Sequence, residues 1–209
     1  MSTSTYPVLT IVTVTYEDII GFAKTASSII PQLTPDVEWI IKDGFSRPVV
    51  QSSIKSLLAG VDARLLISRD NGVYDAMNIA LQHATGDWII FMNGGDEFYD
   101  LRSVSGLIRH IQARNYSGDL PHIISAPTIV ITPSLSATYR SVRRLRDCQG
   151  IYSYRMPSFH QSQVFSRSIY STHKFRLDLP ISADHAYFWQ SIKSGATHEI
   201  LCEPLAKFY

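Results

Sequence analysis

The sequence is poor in cysteine, in long apolar runs and in net charge of either sign. Its 209 residues include two cysteines, Cys148 and Cys202, which lie far apart and lack metal-binding spacing. Such a pair is typical of reduced thiols in a cytoplasmic protein. Lysine and arginine total 19 against 18 aspartate and glutamate residues, a net charge of +1. The composition therefore gives no support for nucleic-acid binding, and we expect no nucleic-acid partner.

The sequence also gives no sign of a membrane span or a leader. No apolar run approaches the length that a bilayer-crossing helix needs. Residues 1–14, MSTSTYPVLTIVTV, lack a basic start and a cleavage site, so we interpret them as a short tail that enters a strand. With 45% hydrophobic and 18% charged residues, the chain can form one domain with a real core, or one domain plus a small subdomain.

Strand-like and helix-like segments alternate through the first half of the chain. Apolar and β-branched runs predict strands at residues 8–15, 37–42, 63–67 and 88–92. Apolar residues at helical spacing predict helices at residues 19–30, 49–58 and 73–83. This order predicts an α/β fold with a parallel sheet and helices on both faces. Ligands of such sheets bind at the carboxyl ends of the strands.

Polar residues follow three of the four predicted strands. Thr15 and Tyr16 end the first strand, and Asp43 follows the second. The fourth strand lies in DWIIFMNGGDEF, residues 87–98, and its apolar run leads into Asn93, Gly94, Gly95 and Asp96. The paired glycines permit a turn and leave space in front of one carboxylate. We expect these groups to meet at one edge of the sheet.

The second half is less regular. We predict helices at residues 101–113 and 183–192, short strands at 122–125, 128–132 and 163–165, and a polar, arginine-containing stretch at 134–156.

Five segments resemble a known family in sequence and in order. They are TIVTVTYED (10–18), IIKDGFSRP (40–48), SRDNGVYDAMNIALQHATGDWIIFMNGGDEF (68–98), FHQSQVFSRSIY (159–170) and SADHAYFW (182–189). Together they resemble a family 2 glycosyltransferase with the GT-A fold, of the kind that builds bacterial polysaccharides. The third segment is the most specific, because it is long and keeps the D-x-G-x-Y-D-A-M-N pattern followed by A-T-G-D.

The resemblance implies a mostly parallel GT-A sheet with a smaller, less regular acceptor-side region. We predict a single domain over residues 1–209, with a nucleotide-sugar half at 1–100 and an acceptor half at 101–209. The implied activity is inverting transfer of a sugar from a UDP-sugar to a polysaccharide or a lipid-linked oligosaccharide. The implied location is the cytoplasm, with peripheral contact at the inner membrane.

The family holds Mn²⁺ or Mg²⁺ with a D-x-D element after the fourth strand, and the metal neutralises the diphosphate. Here the element reads NGGD, so Asn93 and Gly95 stand in place of two acids and Asp96 matches the metal-contacting position. One carboxylate is compatible with either metal, because phosphate oxygens and water complete the shell.

The resemblance also assigns the donor pocket. Asp43 accepts hydrogen bonds from the base, while Thr15 and Tyr16 line the pocket and Asp70 and Asp75 lie near the donor. Asn93, Gly94 and Gly95 also belong to the implied donor site, where the two glycines make room for the sugar diphosphate. The alternatives for these acids are structural. Asp43 can start a turn with Gly44, Asp70 can cap the following helix, and Asp75 can suit the helix dipole.

Asp184 matches the family's catalytic base, which takes the proton of the attacking hydroxyl. Its alternative is an acid at a helix N-terminus next to Ser182. His160, in the pair with Gln161, is either a donor-phosphate or metal contact, or a packed, hydrogen-bonded histidine.

A cluster of arginines allows two interpretations. Arg140, Arg143, Arg144 and Arg146 form either a solvated face or a contact with an acidic membrane or a lipid-linked pyrophosphate.

The sequence also allows two other functions. A sugar nucleotidyltransferase needs a basic, glycine-rich phosphate loop after the first strand, whereas TYEDIIGF (15–22) carries acids there. A degenerate, non-catalytic nucleotide-sugar binder is favoured by the altered D-x-D element and disfavoured by the retained Asp184.

Overall fold

The structure, a computed structural model, describes residues 6–118, 120–132, 134, 136–145 and 155–209. The strands are β1 Leu9–Thr15, β2 Val37–Asp43, β3 Arg64–Ile67, β4 Trp88–Phe91, β5 Glu97–Phe98, β6 Ile123–Ser125, β7 Thr128–Ile131, β8 Ala137–Arg140, β9 Gln163–Ser166, β10 His198–Ile200 and β11 Ala206–Phe208. The α-helices are α1 Ile19–Ile29, α2 Pro48–Leu57, α3 Val73–Leu81, α4 Ser103–Ser117, α5 Arg167–Tyr170 and α6 Ala183–Lys193. Short 3₁₀ turns lie at Ile30–Gln32 and His160–Ser162.

The predicted alternation of the first half is confirmed. Strand β1 pairs in parallel with β2 and β4, and β2 pairs in parallel with β3. Strands β1, β2 and β4 are buried on both faces, as predicted for the interior of a parallel sheet, whereas the edge strand β3 is only partly buried. The observed bounds differ from the predicted ones by a few residues, which is the usual uncertainty at frayed helix ends.

Helices cover both faces of the large sheet. On β1, Leu9 and Ile11 face one core, which α1, α2 and α4 complete, whereas Val12 and Val14 face a second core with α3 and α6. This two-sided burial follows from the alternation of side chains along a strand. Asp18 begins α1 by accepting a hydrogen bond from the Gly21 amide at 2.8 Å.

The second half completes the large sheet and builds a smaller one. The order of the large sheet is β10-β6-β9-β4-β1-β2-β3, and β9 runs antiparallel to both β4 and β6. The small sheet has the order β5-β11-β7-β8. Strands β5, β8, β10 and β11 were not predicted from the sequence, because they are short and each contains a charged residue, so they lack the apolar runs that marked the other short strands.

The antiparallel entry of β9 positions part of the site. Because β9 runs against β4, the turn at His160–Ser162 before β9 lies beside the segment that follows β4. Residues distant in sequence therefore meet at the carboxyl edge of the parallel strands.

Arg140 ends β8, and Arg140, Arg143 and Arg144 are exposed, whereas Arg146 lies outside the described residues. In the part of the chain that the structure describes, no helix is both long and apolar enough to span a bilayer.

Candidate active site

A cleft of about 740 Å³ opens at the carboxyl edge of the parallel strands. Its walls are Val14, Thr15, Tyr16, Asp18, Gly44, Arg69, Asp70, Asn71, Gly72, Val73, Ala76, Asn93 and Gly94. Of the residues predicted for the donor pocket, Thr15, Tyr16, Asp70, Asn93 and Gly94 line this cleft. The structure therefore brings together groups that follow three different strands, at the edge where ligands of α/β sheets bind.

Tyr16 presents an aromatic face in the cleft. Its side chain is among the exposed large hydrophobic groups, at 64% exposure. A Cβ atom added to Gly44 would lie 3.0 Å from Tyr16 Cδ2 and 3.2 Å from Asp70 Oδ2. Glycine at this position thus allows the ring and the carboxylate to approach the backbone closely, and a flat ring beside polar groups suits a nucleobase.

Asp43 lies beneath the cleft, not on its wall. It is completely buried, both of its carboxylate oxygens lie 3.2 Å from the Ser46 amide, and the Ser46 hydroxyl donates to Oδ1 at 2.5 Å. These bonds form the turn that was the structural alternative for this residue. Its contact with a nucleobase stays a prediction.

Asp70 is held by an ion pair that the sequence did not suggest. The Lys42 ammonium is completely buried and donates to Asp70 Oδ2 at 2.5 Å. The Gly72 amide donates to Asp70 Oδ1 at 3.1 Å. Helix α3 has Gly72 as its N-cap, so the alternative that made Asp70 the cap is wrong.

Asp75 supports the loop before α3. Its Oδ2 accepts from the backbone amide of Asn71 at 2.9 Å and from the Asn71 side chain at 3.0 Å. Asp75 is not on the cleft wall, and its place near a bound donor stays a prediction.

The segment after β4 is fixed by Thr25 of α1. The Thr25 hydroxyl lies 2.8 Å from the Asn93 carbonyl oxygen and 2.7 Å from that of Asp96, and it accepts from the Gly95 amide at 3.0 Å. Gly95 has a φ of +99°, a backbone angle that residues with a side chain rarely adopt. The second glycine of NGGD is therefore required by the turn itself.

Asp96 is nearly buried, and this burial raises the pKa of its carboxyl group to about 7. The Gln161 amide nitrogen lies 3.3 Å from Asp96 Oδ1 and donates to it. A hydrogen bond from the Asn93 backbone and the charge of Lys24 lower the pKa of Asp96 without cancelling the effect of burial, and a bound metal ion would lower it further.

His160 lies between the two acids predicted to do chemistry. Its Nε2 is 3.9 Å from Asp96 Oδ2, and its Nδ1 is 3.9 Å from Asp184 Oδ2. The Asn93 amide nitrogen lies 3.2 Å from Nε2, and donation there places the ring proton on Nδ1, toward Asp184. Burial lowers the pKa of His160, and the Asp184 charge opposes this effect.

Asp184 lies in the first turn of α6, as predicted. The Tyr74 hydroxyl donates to Asp184 Oδ1 at 3.0 Å, which connects α3 of the cleft to α6. Burial, with the Asp184 charge second, raises the pKa of Tyr74 to about 12, so the phenol keeps the proton that it donates. Oδ2 is the carboxylate oxygen that faces His160.

The oxygen atoms around Asp96 fit a hard divalent cation. Asn93 Oδ1 and Gln161 Oε1 are buried and have no hydrogen-bond partner among the residues that the structure describes. One carboxylate and two amide oxygens match the oxygen donors that Mg²⁺ and Mn²⁺ prefer. Among the described residues, no cluster of three or more His, Cys, Asp or Glu side chains is placed to hold a metal, so phosphate and water would have to complete the shell.

Sequence reasoning missed several residues of this site. Arg69 adds a cation to the cleft wall, and its guanidinium lies 5.2 Å from the centre of the Phe45 ring. Lys42, Tyr74 and Gln161 act on predicted residues without facing the cleft. Their only sequence signal was membership of the quoted motifs, because their partners lie in distant segments.

Comparison with curated proteins finds glycosyltransferases of mycobacteria. The chain is 36% identical over 75 residues to a PGL/p-HBAD biosynthesis glycosyltransferase of Mycobacterium bovis, which covers 35% of this chain and 29% of that protein. It is 31% identical over 93 residues to an uncharacterised glycosyltransferase of Mycobacterium tuberculosis, with 44% and 35% covered. The aligned segments thus span about a third of these relatives' length.

Solved structures with the same fold include S. aureus TarS, residues 1–349, at a TM-score of 0.73 and 12% identity, covering 96% of this chain and 60% of that one. The complex of that protein with UDP-GlcNAc gives 0.71 at 12% identity, covering 95% and 57%. The mannosyltransferase PcManGT of Pyrobaculum calidifontis, with GDP-Man and Mn²⁺, gives 0.68 at 15% identity, covering 98% and 57%. At these identities the likeness shows the fold alone, and it confirms the predicted GT-A fold.

The family profile described as Glycosyl transferase family 2 matches residues 10–168. This match covers well over half of the chain and includes three of the five segments that carried the resemblance in full and most of a fourth. The chain therefore belongs to glycosyl transferase family 2.

Proposed function

We propose that this chain is an inverting glycosyltransferase that moves a hexose from a UDP-sugar to a hydroxyl of a surface polysaccharide or its lipid-linked precursor. One observation carries the proposal. A cleft at the strand ends is linked through Asn93 and His160 to a carboxylate, Asp184, and the Tyr74 hydroxyl donates to one oxygen of that carboxylate. This arrangement supplies both a place for a donor and a base beside it.

The proposed reaction is a single displacement at the anomeric carbon. The acceptor oxygen forms the new bond to that carbon as the bond to the diphosphate oxygen breaks, and the nucleoside diphosphate leaves with the electron pair. Asp184 takes the proton from the attacking hydroxyl. Because Tyr74 occupies Oδ1, the proton goes to Oδ2, on the side of His160.

Asp96 is the proposed metal ligand, with Asn93 and Gln161 as further oxygen donors and His160 beside them. When bound, Mn²⁺ or Mg²⁺ would neutralise the diphosphate and assist its departure. Arg69 would add positive charge on the cleft wall.

The choice of UDP is supported by relatives of the same fold. TarS has been solved with UDP and with UDP-GlcNAc, and PcManGT with GDP-Man. The Tyr16 ring beside Gly44 is the proposed stacking surface for the base, with Asp43 below it. UDP and GDP should therefore be compared directly.

The proposed acceptor is carried near a membrane, and the proposed location is the cytoplasmic face of the inner membrane. Three arginines of the predicted cluster, Arg140, Arg143 and Arg144, are exposed, which suits contact with anionic lipid or a pyrophosphate.

The test combines binding with turnover. Calorimetric titration with UDP and GDP, each with and without Mn²⁺, measures donor binding. Release of UDP from UDP-glucose, UDP-galactose and UDP-GlcNAc, with water as acceptor, measures chemistry. In Asp184→Asn, which keeps the acceptor for Tyr74, we expect unchanged UDP affinity and a fall in turnover of about 10²- to 10⁴-fold.

Asp62→Asn is the matched control, because Asp62 is exposed between α2 and β3, and it should behave as wild type. Equal turnover in Asp184→Asn and wild type would refute the catalytic role. Binding of nucleotide with no turnover of any donor would support the non-catalytic alternative, and absence of binding would refute the donor site.

A further inference from the structure

The ammonium group of Lys42 is enclosed at the carboxyl end of β2. It is completely buried and donates to Asp70 Oδ2 at 2.5 Å, to the Ser68 carbonyl oxygen at 2.7 Å and to the Asp43 carbonyl oxygen at 3.0 Å. Three acceptors match the three N–H bonds of an ammonium group. No donor is left over for a ligand, so any effect of Lys42 on binding must pass through these partners.

These partners belong to the wall and floor of the cleft. Asp70 lines the cleft, and its side chain is 11% exposed. Asp43 is the buried residue beneath it, and Ser68 belongs to the loop that leads from β3 to Asp70. Lys42 therefore connects the ends of two neighbouring strands and the carboxylate between them.

The charge of Lys42 matters for an anionic ligand. A diphosphate is repelled by an unpaired carboxylate in a poorly solvated wall, because interactions between charges strengthen as the surroundings lose water. Paired with Lys42, Asp70 adds no net charge. The pair thus leaves Asp70 able to accept a hydrogen bond while the cleft still admits an anion.

A role in folding alone does not account for this arrangement. Buried ion pairs are often no more stabilising than apolar residues of similar volume, whereas removal of one partner leaves a costly unpaired charge. The neighbouring residues of β2, Ile40 and Ile41, are apolar and fully buried, so Lys42 interrupts the apolar run of this strand where the strand approaches the cleft.

We propose that Lys42 is a positioning residue for the nucleoside diphosphate: it fixes Asp70 and the ends of β2 and β3 in the geometry that binds the donor, without touching it. This inference rests on the proposed donor site. Lys42 organises the cleft through its contact with Asp70.

The experiment uses Lys42→Met, Asp70→Asn and the double variant, with Lys55→Met as the matched control. Lys55 is an exposed residue of α2, so its loss removes the same charge without the ion pair. The affinity for UDP and GDP is measured by calorimetry well below the unfolding temperature of every variant. Thermal unfolding and hydrogen exchange of residues 68–72 are recorded on the same samples without nucleotide.

We expect Lys42→Met to weaken nucleotide binding by about tenfold or more and to speed exchange of residues 68–72, while Lys55→Met matches wild type. Because Lys42 acts through Asp70, the double variant should bind no more weakly than the weaker single variant.

Two outcomes would overturn the inference while the donor site stands. One is wild-type affinity in Lys42→Met with only a lower unfolding temperature, which is the result of a merely structural role. The other is additive losses in the double variant. If wild type itself binds neither nucleotide, the proposed donor site fails and the role of Lys42 in it fails too.

Discussion

His160 lies between Asp96 and Asp184. Its Nε2 atom is 3.9 Å from the Asp96 carboxylate, and its Nδ1 atom is 3.9 Å from the Asp184 carboxylate. The ring connects the proposed metal ligand to the proposed base across the end of the sheet. A side chain that contacts metal ligands or catalytic groups in this way orients them. Distances between such groups in a ligand-free protein often shorten when ligands bind.

Replacement of His160 should therefore impair both sites at once. For His160→Asn we expect a loss of about 10- to 100-fold both in Mn²⁺ affinity and in turnover of the donor. Calorimetry with Mn²⁺ and UDP, together with UDP release, measures the two effects. His83→Asn is the control, because His83 lies just after the C-terminal end of α3. An effect on neither quantity would show that His160 is only a packed histidine.

Asp96 should destabilise the metal-free protein at alkaline pH. Its folded-state pKa of about 7 lies above the unfolded value, so protonated Asp96 favours the folded protein. This contribution to the free energy of unfolding is present at low pH and is lost as the pH rises through 7. Without metal at pH 8, Asp96→Asn should unfold at a higher temperature than wild type, by a free energy on the order of 2–4 kcal/mol. The difference should shrink toward pH 4.

Addition of Mn²⁺ and UDP should reverse this order, because only wild type keeps the carboxylate ligand. Differential scanning fluorimetry across pH, with and without these ligands, makes the measurement. A variant that gains the same stabilisation from Mn²⁺ and UDP as wild type would remove Asp96 from the metal site.

Gly44 should be essential to the shape of the cleft. A methyl group there would meet the Tyr16 ring at 3.0 Å and Asp70 at 3.2 Å, so both must shift. We expect Gly44→Ala to weaken UDP binding by about 3- to 10-fold, or ~1 kcal/mol. Gly106→Ala is the control, since Gly106 lies in helix α4 and a Cβ there would meet no atom of the described residues within 4 Å. It should stabilise the fold by about 0.5–1 kcal/mol and leave binding unchanged.

His198 should make the fold sensitive to acid. Burial lowers its pKa to about 4, and the ring lies 2.8 Å from the Ser125 hydroxyl and edge-on to Phe188. Because the folded pKa lies below the unfolded one, stability is full at neutral pH and falls as the pH drops from about 6.5 toward 4.

In His198→Gln, the loss of stability between pH 7 and pH 5 should be smaller than in wild type by about 1–2 kcal/mol. Urea unfolding at both pH values gives the comparison. Asp96 titrates in the opposite sense in both proteins, so its effect cancels. Identical pH dependence in the two proteins would show that His198 is not the acid-sensitive group.

The exposed arginines should bind anionic lipid. Replacement of Arg140, Arg143 and Arg144 by alanine should lower the affinity for phosphatidylglycerol vesicles, measured by cosedimentation, by about 100-fold, because each charge near the surface contributes ~1 kcal/mol. Phosphatidylcholine vesicles should bind neither protein. A variant lacking three other exposed cations, Lys55, Arg64 and Arg109, is the control. Equal loss in both variants would indicate a general charge effect.

The sequence by itself determined the parallel half of the sheet and much of the cleft. Buried strands with long apolar runs and helices of ordinary length have local periodicities, so β1, β2, β4, α1 and α3 were predicted close to their observed bounds. Since parallel strands end at one edge, the meeting of Thr15, Tyr16 and Asn93 followed from the order of elements.

Only the tertiary structure decided how the two halves meet. The pairing of β9 between β4 and β6 brings His160 to Asp96, and no local pattern specifies which strands become neighbours. The same holds for Lys42 and Asp70, and for Tyr74 and Asp184, whose contacts join separate elements. Periodicity reports the environment of a residue, whereas the identity of its partner depends on long-range packing of the whole chain.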